Sequence, residues 1–206
     1  MKKYKEFLKS IIIVLATQGI IYFLIKLFIN DYHLINSIIN IPLIKPFVYF
    51  YDSWYPFVFL ISFLIYINNK DIYYKLIFTL IISSLMAHIT FIIYPTMITR
   101  PNIEVHNITD LILNITYKTD TPPVNCLPSL HCLYCFILIF YTYISNIKIK
   151  YKIPIIIYFI LIILSTLFIH QHVLEDVLLS LIYMIISTIL VYIFNDKLKK
   201  ILKFIF

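Results

Sequence analysis

Hydrophobic residues run through this chain in six long stretches, and polar residues gather between them. Each stretch has roughly 18 or more mostly apolar residues, the length that an α-helix needs to cross a bilayer. The sequence therefore predicts six transmembrane helices, at residues 8–28, 47–67, 76–94, 133–149, 153–169 and 173–194. The fourth stretch is the weakest, because tyrosine and cysteine dilute it and no charges mark its ends.

The composition places the chain in lipid. Apolar residues make up 62% and charged residues 13% of its 206 residues, and the mean hydropathy is +0.93. Too few polar groups remain to cover a soluble globule. We therefore expect an all-α polytopic membrane protein, a single domain embedded in the lipid bilayer over residues 1–206.

The distribution of lysines indicates how the helices are oriented. Lysines cluster before the first stretch, between the second and third, between the fourth and fifth, and after the sixth, at Lys2, Lys3, Lys5, Lys70, Lys75, Lys148, Lys150, Lys152, Lys197, Lys199, Lys200 and Lys203. Such loops stay in the cytoplasm, so we expect cytoplasmic termini and a first stretch that is retained rather than cleaved as a signal peptide. The net charge of +7 is then a topology signal, and anionic lipid headgroups explain it better than a nucleic-acid partner does.

Three short polar islands interrupt the hydrophobic pattern in the second half of the chain. They are Arg100-Pro101, Pro128 to His131, and His172 to Asp176. With the predicted orientation all three meet the extracytoplasmic face, although random polar positions would fall on both faces. Because ionisable groups at membrane spans are costly and usually functional, we expect one active site within about residues 91–180.

The third island pairs a histidine with a carboxylate. His172 and Asp176 are four residues apart, which places them on one face of a helix. Asp176 can then fix the imidazole tautomer and leave the other ring nitrogen free to attack, although Glu175 is a competing partner. In the alternative interpretation, His172 is an ordinary interfacial histidine and Asp176 an acid favoured by the helix dipole.

The second island has the features of an anion-binding helix start. Pro128 suits a first helical turn, which leaves the amides of Ser129 and Leu130 open toward an anion. His131 then lies close enough to protonate a leaving oxygen. Alternatively, Pro-Ser is simply a good helix start.

Arg100 is the only arginine of the chain, which uses lysine at every other basic position. Its planar fork of donors matches a phosphoryl group, and Pro101 keeps the following backbone extended. A single arginine at a membrane edge also fits a simple headgroup contact, so Arg100 gains weight only together with the other two islands.

Together these residues resemble the type 2 phosphatidic acid phosphatases, a superfamily that includes vanadium haloperoxidases and sphingolipid-type phosphotransferases. The first family motif, a lysine, six residues and Arg-Pro, is similar to Ile93 through Arg100-Pro101. The second, Pro-Ser-Gly-His, is similar to Pro128 to His131, and the third to Ser165-Thr166 through His172 to Asp176. The branch of inositol phosphorylceramide synthase is the most similar, on the residues Tyr94-Pro95-Thr96, Asn125, Leu130 and Gln171.

Two of the cations in the family pattern are missing. Ile93 stands in place of the lysine and Thr166 in place of the second arginine. Phosphate binding therefore depends on Arg100, with the amide of Ser129 and the side chains of His170 and Lys118 as candidates to compensate. These losses favour a transferase or a degenerate enzyme.

The resemblance implies a two-step reaction without a metal or cofactor. His172 attacks phosphorus with the help of Asp176, and His131 protonates the departing alkoxide. Water as the acceptor makes the protein a lipid phosphatase, and an alcohol makes it a headgroup phosphotransferase. The expected substrate is a phospholipid or isoprenoid phosphate at the extracytoplasmic face of the plasma membrane. The oligomeric state is left open.

Two other classes of function are weighed against this one. An intramembrane serine protease built on Ser129 and His172 needs a glycine-rich setting, and the chain has a single glycine. A non-enzymatic transporter or scaffold fits the missing cations, but it gives His131, His172 and Asp176 little reason to keep their spacing.

Two further features receive simple interpretations. Residues 95–125 form a predicted loop of about thirty residues, long enough to cap a lipid headgroup. The three cysteines, Cys126, Cys132 and Cys135, match neither a zinc site nor a disulfide framework, so we interpret them as small packing residues.

Overall fold

The computed structural model describes residues 4–36 and 39–194 of the chain. Helices dominate, and the described elements are α1 (Lys5–Phe28), β1 (His33–Leu34), a 3-10 turn (Lys45–Phe47), α2 (Val48–Asp52), α3 (Trp54–Asn68), α4 (Lys70–Ile93), β2 (Thr96–Met97), α5 (Ile108–Thr119), α6 (Leu130–Ile144), α7 (Ile149–Phe168) and α8 (Leu174–Ile193). The basic segment predicted after the sixth span lies outside the described residues.

The predicted all-α membrane architecture is confirmed. Within the described residues, five helical segments are long and apolar enough to cross a membrane: α1, the run Lys45–Asn68, α4, α7 and α8. The sixth, α6, is apolar but has only 15 residues. At a rise of about 1.5 Å per residue it spans roughly 22 Å, less than the hydrocarbon core of a typical bilayer. The stretch that was weakest in the sequence is thus the shortest helix of the six.

Helix α6 is the central element of the bundle. It packs against α3, α4, α7 and α8, and most of its length is buried. Its tyrosine hydroxyls find partners on α4: Tyr141 lies 2.7 Å from the Thr79 hydroxyl and Tyr134 lies 3.0 Å from the Ser84 hydroxyl. The three cysteines are free and buried, as expected for packing residues.

The two ends of the bundle differ in their contacts. At one end, Lys70 at the start of α4 donates to Glu6 in the first turn of α1 over 2.8 Å. At the other end, Lys26 in the last turn of α1 meets Asp120, which follows α5. All three polar islands lie at this second end, where the segments 29–36, 39–47, 94–129 and 169–173 meet.

The segment 95–125 is more ordered than the predicted loop. Strand β2 pairs in parallel with β1, and α5 occupies Ile108–Thr119. Asn107 caps α5 by accepting a hydrogen bond from the Asp110 amide over 3.0 Å. Leu113 and Tyr117 of α5 pack in a cluster with Tyr51 of α2 and Ile169, which fixes this segment over the ends of α2 and α7.

Candidate active site

His172 and Asp176 form the pair that their spacing predicts. His172 Nδ1 lies 3.0 Å from Asp176 Oδ2, and the aspartate side chain is fully buried. The helical geometry we expected is wrong in one respect, because His172 precedes α8 and only Asp176 lies in its first turn. The same Oδ2 also accepts the Val173 amide over 3.1 Å. Asp176 therefore contacts both the start of α8 and the imidazole of His172.

The backbone before His172 holds it in place. At the end of α7, the amides of Gln171 and His172 both donate to the Thr166 carbonyl, over 2.9 and 3.0 Å. His170 adopts a positive φ of 52°, which turns the chain toward α8. His170 Nε2 lies 2.9 Å from the Ile41 carbonyl oxygen. His170 thus anchors the turn, and the structure does not give it the role of a replacement phosphate ligand.

One of the two amides predicted to be free at the start of α6 is already paired. Ser129 is the N-cap of α6, with its hydroxyl accepting the Cys132 amide over 3.3 Å, and its own amide donates to the Asp176 carbonyl over 3.3 Å. Ser180 binds both the Ser129 and Asp176 carbonyls, over 2.9 and 2.6 Å. The predicted free amide at Ser129 is therefore wrong, because that amide joins α6 to α8. Pro128 lies before the cap and not in the first helical turn.

The backbone N–H of Leu130 is unpaired within the described residues, as the sequence predicted. Its N–H makes no hydrogen bond to any of the residues that the structure describes, as is usual for the first residue of a helix. One of the two predicted backbone donors therefore remains available at this helix start.

His131 is held between aromatic rings beside His172. Its imidazole stacks on Tyr51 with ring centroids 4.4 Å apart and contacts the Trp54 ring at 4.5 Å. The Trp54 indole N–H donates to the His131 carbonyl over 3.2 Å. The His131 and His172 rings are 6.3 Å apart. His131 Nε2 is buried and has no hydrogen-bond partner among residues 4–36 and 39–194, so its hydrogen-bonding capacity is unused in this structure.

Arg100 reaches the same region, but its fork is occupied by the protein. One terminal nitrogen donates to the carbonyls of Tyr117 and Asp120, over 3.4 and 3.1 Å. The other donates to the Asp120 carboxylate over 2.7 Å and to the side-chain oxygen of Gln171. The side chain is only 7% exposed. A phosphoryl group that uses this fork must therefore take the place of Asp120 or Gln171.

Tyr117 contacts both the Arg100 guanidinium and the turn after α7. Its ring lies 5.2 Å from Arg100 Cζ, and its hydroxyl donates to the Ile169 carbonyl over 2.6 Å. Burial raises the pKa of Tyr117 to about 12, against the smaller opposing effect of Arg100. The phenol is therefore a neutral donor at physiological pH, and it ties α5 to the turn that carries His172.

Two residues of α1 also contact the Asp120 carboxylate. The Tyr22 hydroxyl donates to Oδ1 over 3.0 Å, and Lys26 Nζ lies 3.4 Å from the same oxygen. Lys26 is 12% exposed although it belongs to a membrane-spanning helix. Asp120 therefore bridges a lysine of α1 and the arginine that follows β2.

The positions of the two missing family cations carry uncharged side chains in this structure. Ile93 is 75% exposed on the outside of the bundle. Thr166 is fully buried, and its hydroxyl donates to the Ile163 carbonyl and contacts Cys132 Sγ at 3.4 Å. Lys118 is exposed on α5 and forms no hydrogen bond or ion pair with any described residue. None of these three positions brings a positive charge to Arg100 and Asp120.

A cavity of about 430 Å³ opens beside His172. This volume falls in the range of about 300–1,000 Å³ that is typical of ligand sites. Its wall combines apolar and polar side chains in similar number. The apolar lining residues are Ile35, Ile39, Ile41, Ile98, Leu167 and Val173, and the polar ones are Asn36, Asn40, Thr99, His170 and His172.

The sequence did not reveal three contributors to the site. Lys26 was counted within the first hydrophobic stretch, although a charged residue inside a span is itself a signal of function. Asp120 lay in the predicted loop 95–125 and Tyr51 in the second hydrophobic stretch, and neither was given a role. Their roles depend on contacts between distant segments, which no local pattern encodes.

The comparisons with known proteins agree with the motifs. The family model of the PAP2 superfamily matches residues 72–200, a range that includes all three polar islands. No curated protein matches the chain, and no solved structure matches it. Because the family model covers more than half of the sequence, the chain belongs to the PAP2 superfamily.

Proposed function

We propose that this protein is a membrane lipid-phosphate phosphatase or phosphotransferase that acts through a phosphohistidine on His172. One observation carries the proposal: the imidazole of His172 is held at 3.0 Å by a fully buried carboxylate, with the His131 ring 6.3 Å away. This arrangement contains a nucleophile, the group that orients it and a proton donor. Membership of the PAP2 superfamily supports the same class of chemistry.

In the first step, His172 Nε2 attacks the phosphorus of the substrate. The contact between Nδ1 and Asp176 supports this choice of nitrogen, because the Nδ1 proton is held by the carboxylate and the lone pair remains on Nε2. A P–N bond forms as the P–O bond to the lipid alcohol breaks. The leaving oxygen takes a proton from His131, and Asp176 stabilises the positive charge that develops on His172.

In the second step, a hydroxyl group attacks the phosphohistidine. His131, now neutral, accepts the proton of the attacking hydroxyl, and the P–N bond breaks to release His172. Water gives inorganic phosphate, whereas an alcohol gives a new phosphate ester. Both outcomes use the same residues, and imidazole is itself the nucleophile, so the proposed reaction uses no metal or cofactor.

Several contacts favour the phosphotransferase branch similar to inositol phosphorylceramide synthase. Gln171, one of the residues on which the resemblance to that branch rests, binds Arg100. Thr96 accepts the amides of Cys126 and Leu127 over 3.2 and 3.0 Å and so positions the segment before α6. Asn125 adopts a positive φ of 57° in this segment. These residues organise the loops around the site, as specific determinants of a branch are expected to do.

The proposed substrate is an amphipathic phosphate ester, either a phospholipid or an isoprenoid phosphate. The cavity beside His172 has a wall of mixed apolar and polar side chains, which supports an amphipathic substrate, and the helices of the fold form a membrane bundle, which supports a lipid. The lysine distribution favours an extracytoplasmic site in the plasma membrane, with both termini in the cytoplasm.

The test is turnover of phosphate-labelled lipids by the purified protein in detergent. A panel of phospholipid and isoprenoid phosphates is incubated with a chelator, with and without alcohol acceptors, and label is followed into inorganic phosphate or a new ester. We expect turnover by the wild type and none by His172→Ala. The intermediate should be labelled protein that loses its phosphate in acid and keeps it in base, as phosphoramidates do.

His106→Ala is the matched control. It removes a histidine whose side chain is 71% exposed and which pairs with Glu104 in the loop before α5. Wild-type turnover by His106→Ala and loss in His172→Ala support the proposal. Equal turnover by His172→Ala and the wild type, or no turnover of any lipid by the wild type, contradicts the proposal and favours a transporter or scaffold.

A further inference from the structure

The carboxylate of Asp120 lies where donors from three separate segments converge. Lys26 Nζ is 3.4 Å and the Tyr22 hydroxyl 3.0 Å from Oδ1, while a terminal nitrogen of Arg100 is 2.7 Å from Oδ2. A carboxylate and a phosphoryl group accept the same kinds of donors, and arginine and lysine are the usual ligands of both. The position of this carboxylate is therefore built to hold an anion.

The charges at this position do not balance. Lys26 and Arg100 bring two positive charges, with side chains 12% and 7% exposed, against the single negative charge of Asp120. Buried charges are normally compensated by partners. The Arg100 Nε is also buried without a hydrogen-bond partner in the described part of the chain. The group thus has capacity for an anion of higher charge than a carboxylate.

Lys26 supplies a cation that the motif comparison does not find. The family position of the lysine is Ile93, which is 75% exposed and faces away from the site. Lys26 belongs to α1, far away in sequence, and contacts Asp120, the same carboxylate that pairs with Arg100.

The anion position lies beside the reacting groups. The Arg100 nitrogen that binds Asp120 also binds Gln171, the residue directly before His172. Tyr51, which stacks on His131, packs in one cluster with Tyr117, and the Tyr117 ring lies 5.2 Å from Arg100 Cζ. The donors around Asp120 therefore belong to the same region as the two histidines.

We propose that Lys26 and Arg100 together bind the phosphoryl group of the substrate, in the position that the Asp120 carboxylate holds in this structure. The assignment of the anion as a substrate phosphate rests on the proposed function. Phosphate displaces Asp120 from the two cations, and Lys26 takes the role of the missing family lysine.

The test is equilibrium binding, which does not require turnover. All variants are made in the His172→Ala background, and dialysis measures the Kd of radiolabelled inorganic phosphate and of a short-chain phosphatidic acid. We expect Lys26→Met to raise the Kd of both probes about 10- to 100-fold, the effect of losing one ionic contact. Lys26→Arg should recover most of the affinity. Lys118→Met, which removes an exposed lysine from α5, should leave the Kd unchanged.

A second variant has an effect of opposite sign. Asp120→Asn removes the internal competitor and its negative charge, so phosphate should bind more tightly than to the parent protein. If Asp120 only positioned the cations, the same change would weaken binding. Weaker or unchanged phosphate binding by Asp120→Asn overturns the proposal. This readout also keeps the proposal falsifiable should Lys26→Met fail to fold.

The remaining outcomes separate this inference from the proposed function. Unchanged phosphate binding by folded Lys26→Met overturns the inference, even where the wild type turns over lipids. A loss limited to the lipid probe also overturns it, because the contact would then not be to the phosphoryl group. Lysine-dependent phosphate binding in a protein without turnover supports the anion site and contradicts only the proposed enzyme.

Discussion

The substitution Asp176→Asn isolates the role of the buried carboxylate. Asp176 Oδ2 accepts two hydrogen bonds, from His172 Nδ1 and from the Val173 amide, over 3.0 and 3.1 Å. Asparagine preserves the size of the side chain and still offers an oxygen to Val173, so the start of α8 should persist. The change removes the negative charge that stabilises His172 when the phosphohistidine forms.

The size of the effect follows from the single contact between His172 and Asp176. A hydrogen bond to a charged group contributes about 1.5–3 kcal/mol. If this contribution is realised in the transition state, its loss lowers kcat about 10- to 150-fold, at about 1.4 kcal/mol for each factor of ten. KM should change much less, because the carboxylate does not contact the substrate.

The assay compares steady-state turnover of Asp176→Asn with that of Glu175→Gln in the same detergent. Glu175→Gln removes an equal charge one residue away, while the structure gives Asp176 the contact with His172. We expect Glu175→Gln to keep nearly full turnover. Wild-type kcat in Asp176→Asn, or an equal loss in Glu175→Gln, would refute the assignment of Asp176. A thermal melt of each variant shows whether a loss of turnover reflects unfolding.

Three further predictions concern stability and access. The hydrogen bond from Lys45 holds the pKa of Asp110 below its usual range. The pair therefore stabilises the fold above about pH 4 and loses this effect as the pH falls further. Below that pH, the thermal midpoint should fall more steeply in the wild type than in Lys45→Met. The three buried cysteines should resist maleimide until denaturant is added, and rapid labelling of the native protein, followed by mass spectrometry, would contradict their packing. Ile93→Lys should leave turnover unchanged, because position 93 faces outward. Thr166→Arg places a charged side chain in a fully buried position, so it should lower the free energy of unfolding by about 3 kcal/mol or more in denaturant.

The hydrophobic pattern was sufficient to predict the membrane helices but not the helix outside them. Long apolar stretches have one stable solution in lipid, since all backbone groups must bond internally. Helix α5 mixes polar and apolar residues over only 12 positions, and a segment that short is stable only where a tertiary surface covers its apolar side. Tyr51 and Ile169 provide that surface, and neither is near α5 in sequence.

The contacts of the candidate site also include local ones that were predictable and long-range ones that were not. The contact between His172 and Asp176 was predictable because it joins residues four apart. The closed amide of Ser129 was not, because its acceptor is the carbonyl of Asp176 on another helix. The pairing of Lys26 with Asp120 joins residues 94 positions apart, so it depends on how α1 packs against the bundle. Local spacing thus predicted the contact between His172 and Asp176, and long-range packing decided which donors are available.

In the proposed enzyme, an internal anion explains how a site with one arginine works in a membrane. Two cations as buried as Lys26 and Arg100 would be costly without a partner, and Asp120 compensates them in part while no phosphate is bound. A substrate phosphate then exchanges one anion for another, so most of the electrostatic energy of binding is spent on displacing the carboxylate. Binding that is weak in the ground state raises KM without lowering kcat. The same exchange in reverse allows Asp120 to displace the product phosphate, which a permanently open pair of cations would retain. Removal of the carboxylate should therefore tighten phosphate binding and slow product release together, and a pre-steady-state burst of lipid alcohol in Asp120→Asn is the kinetic sign of that coupling.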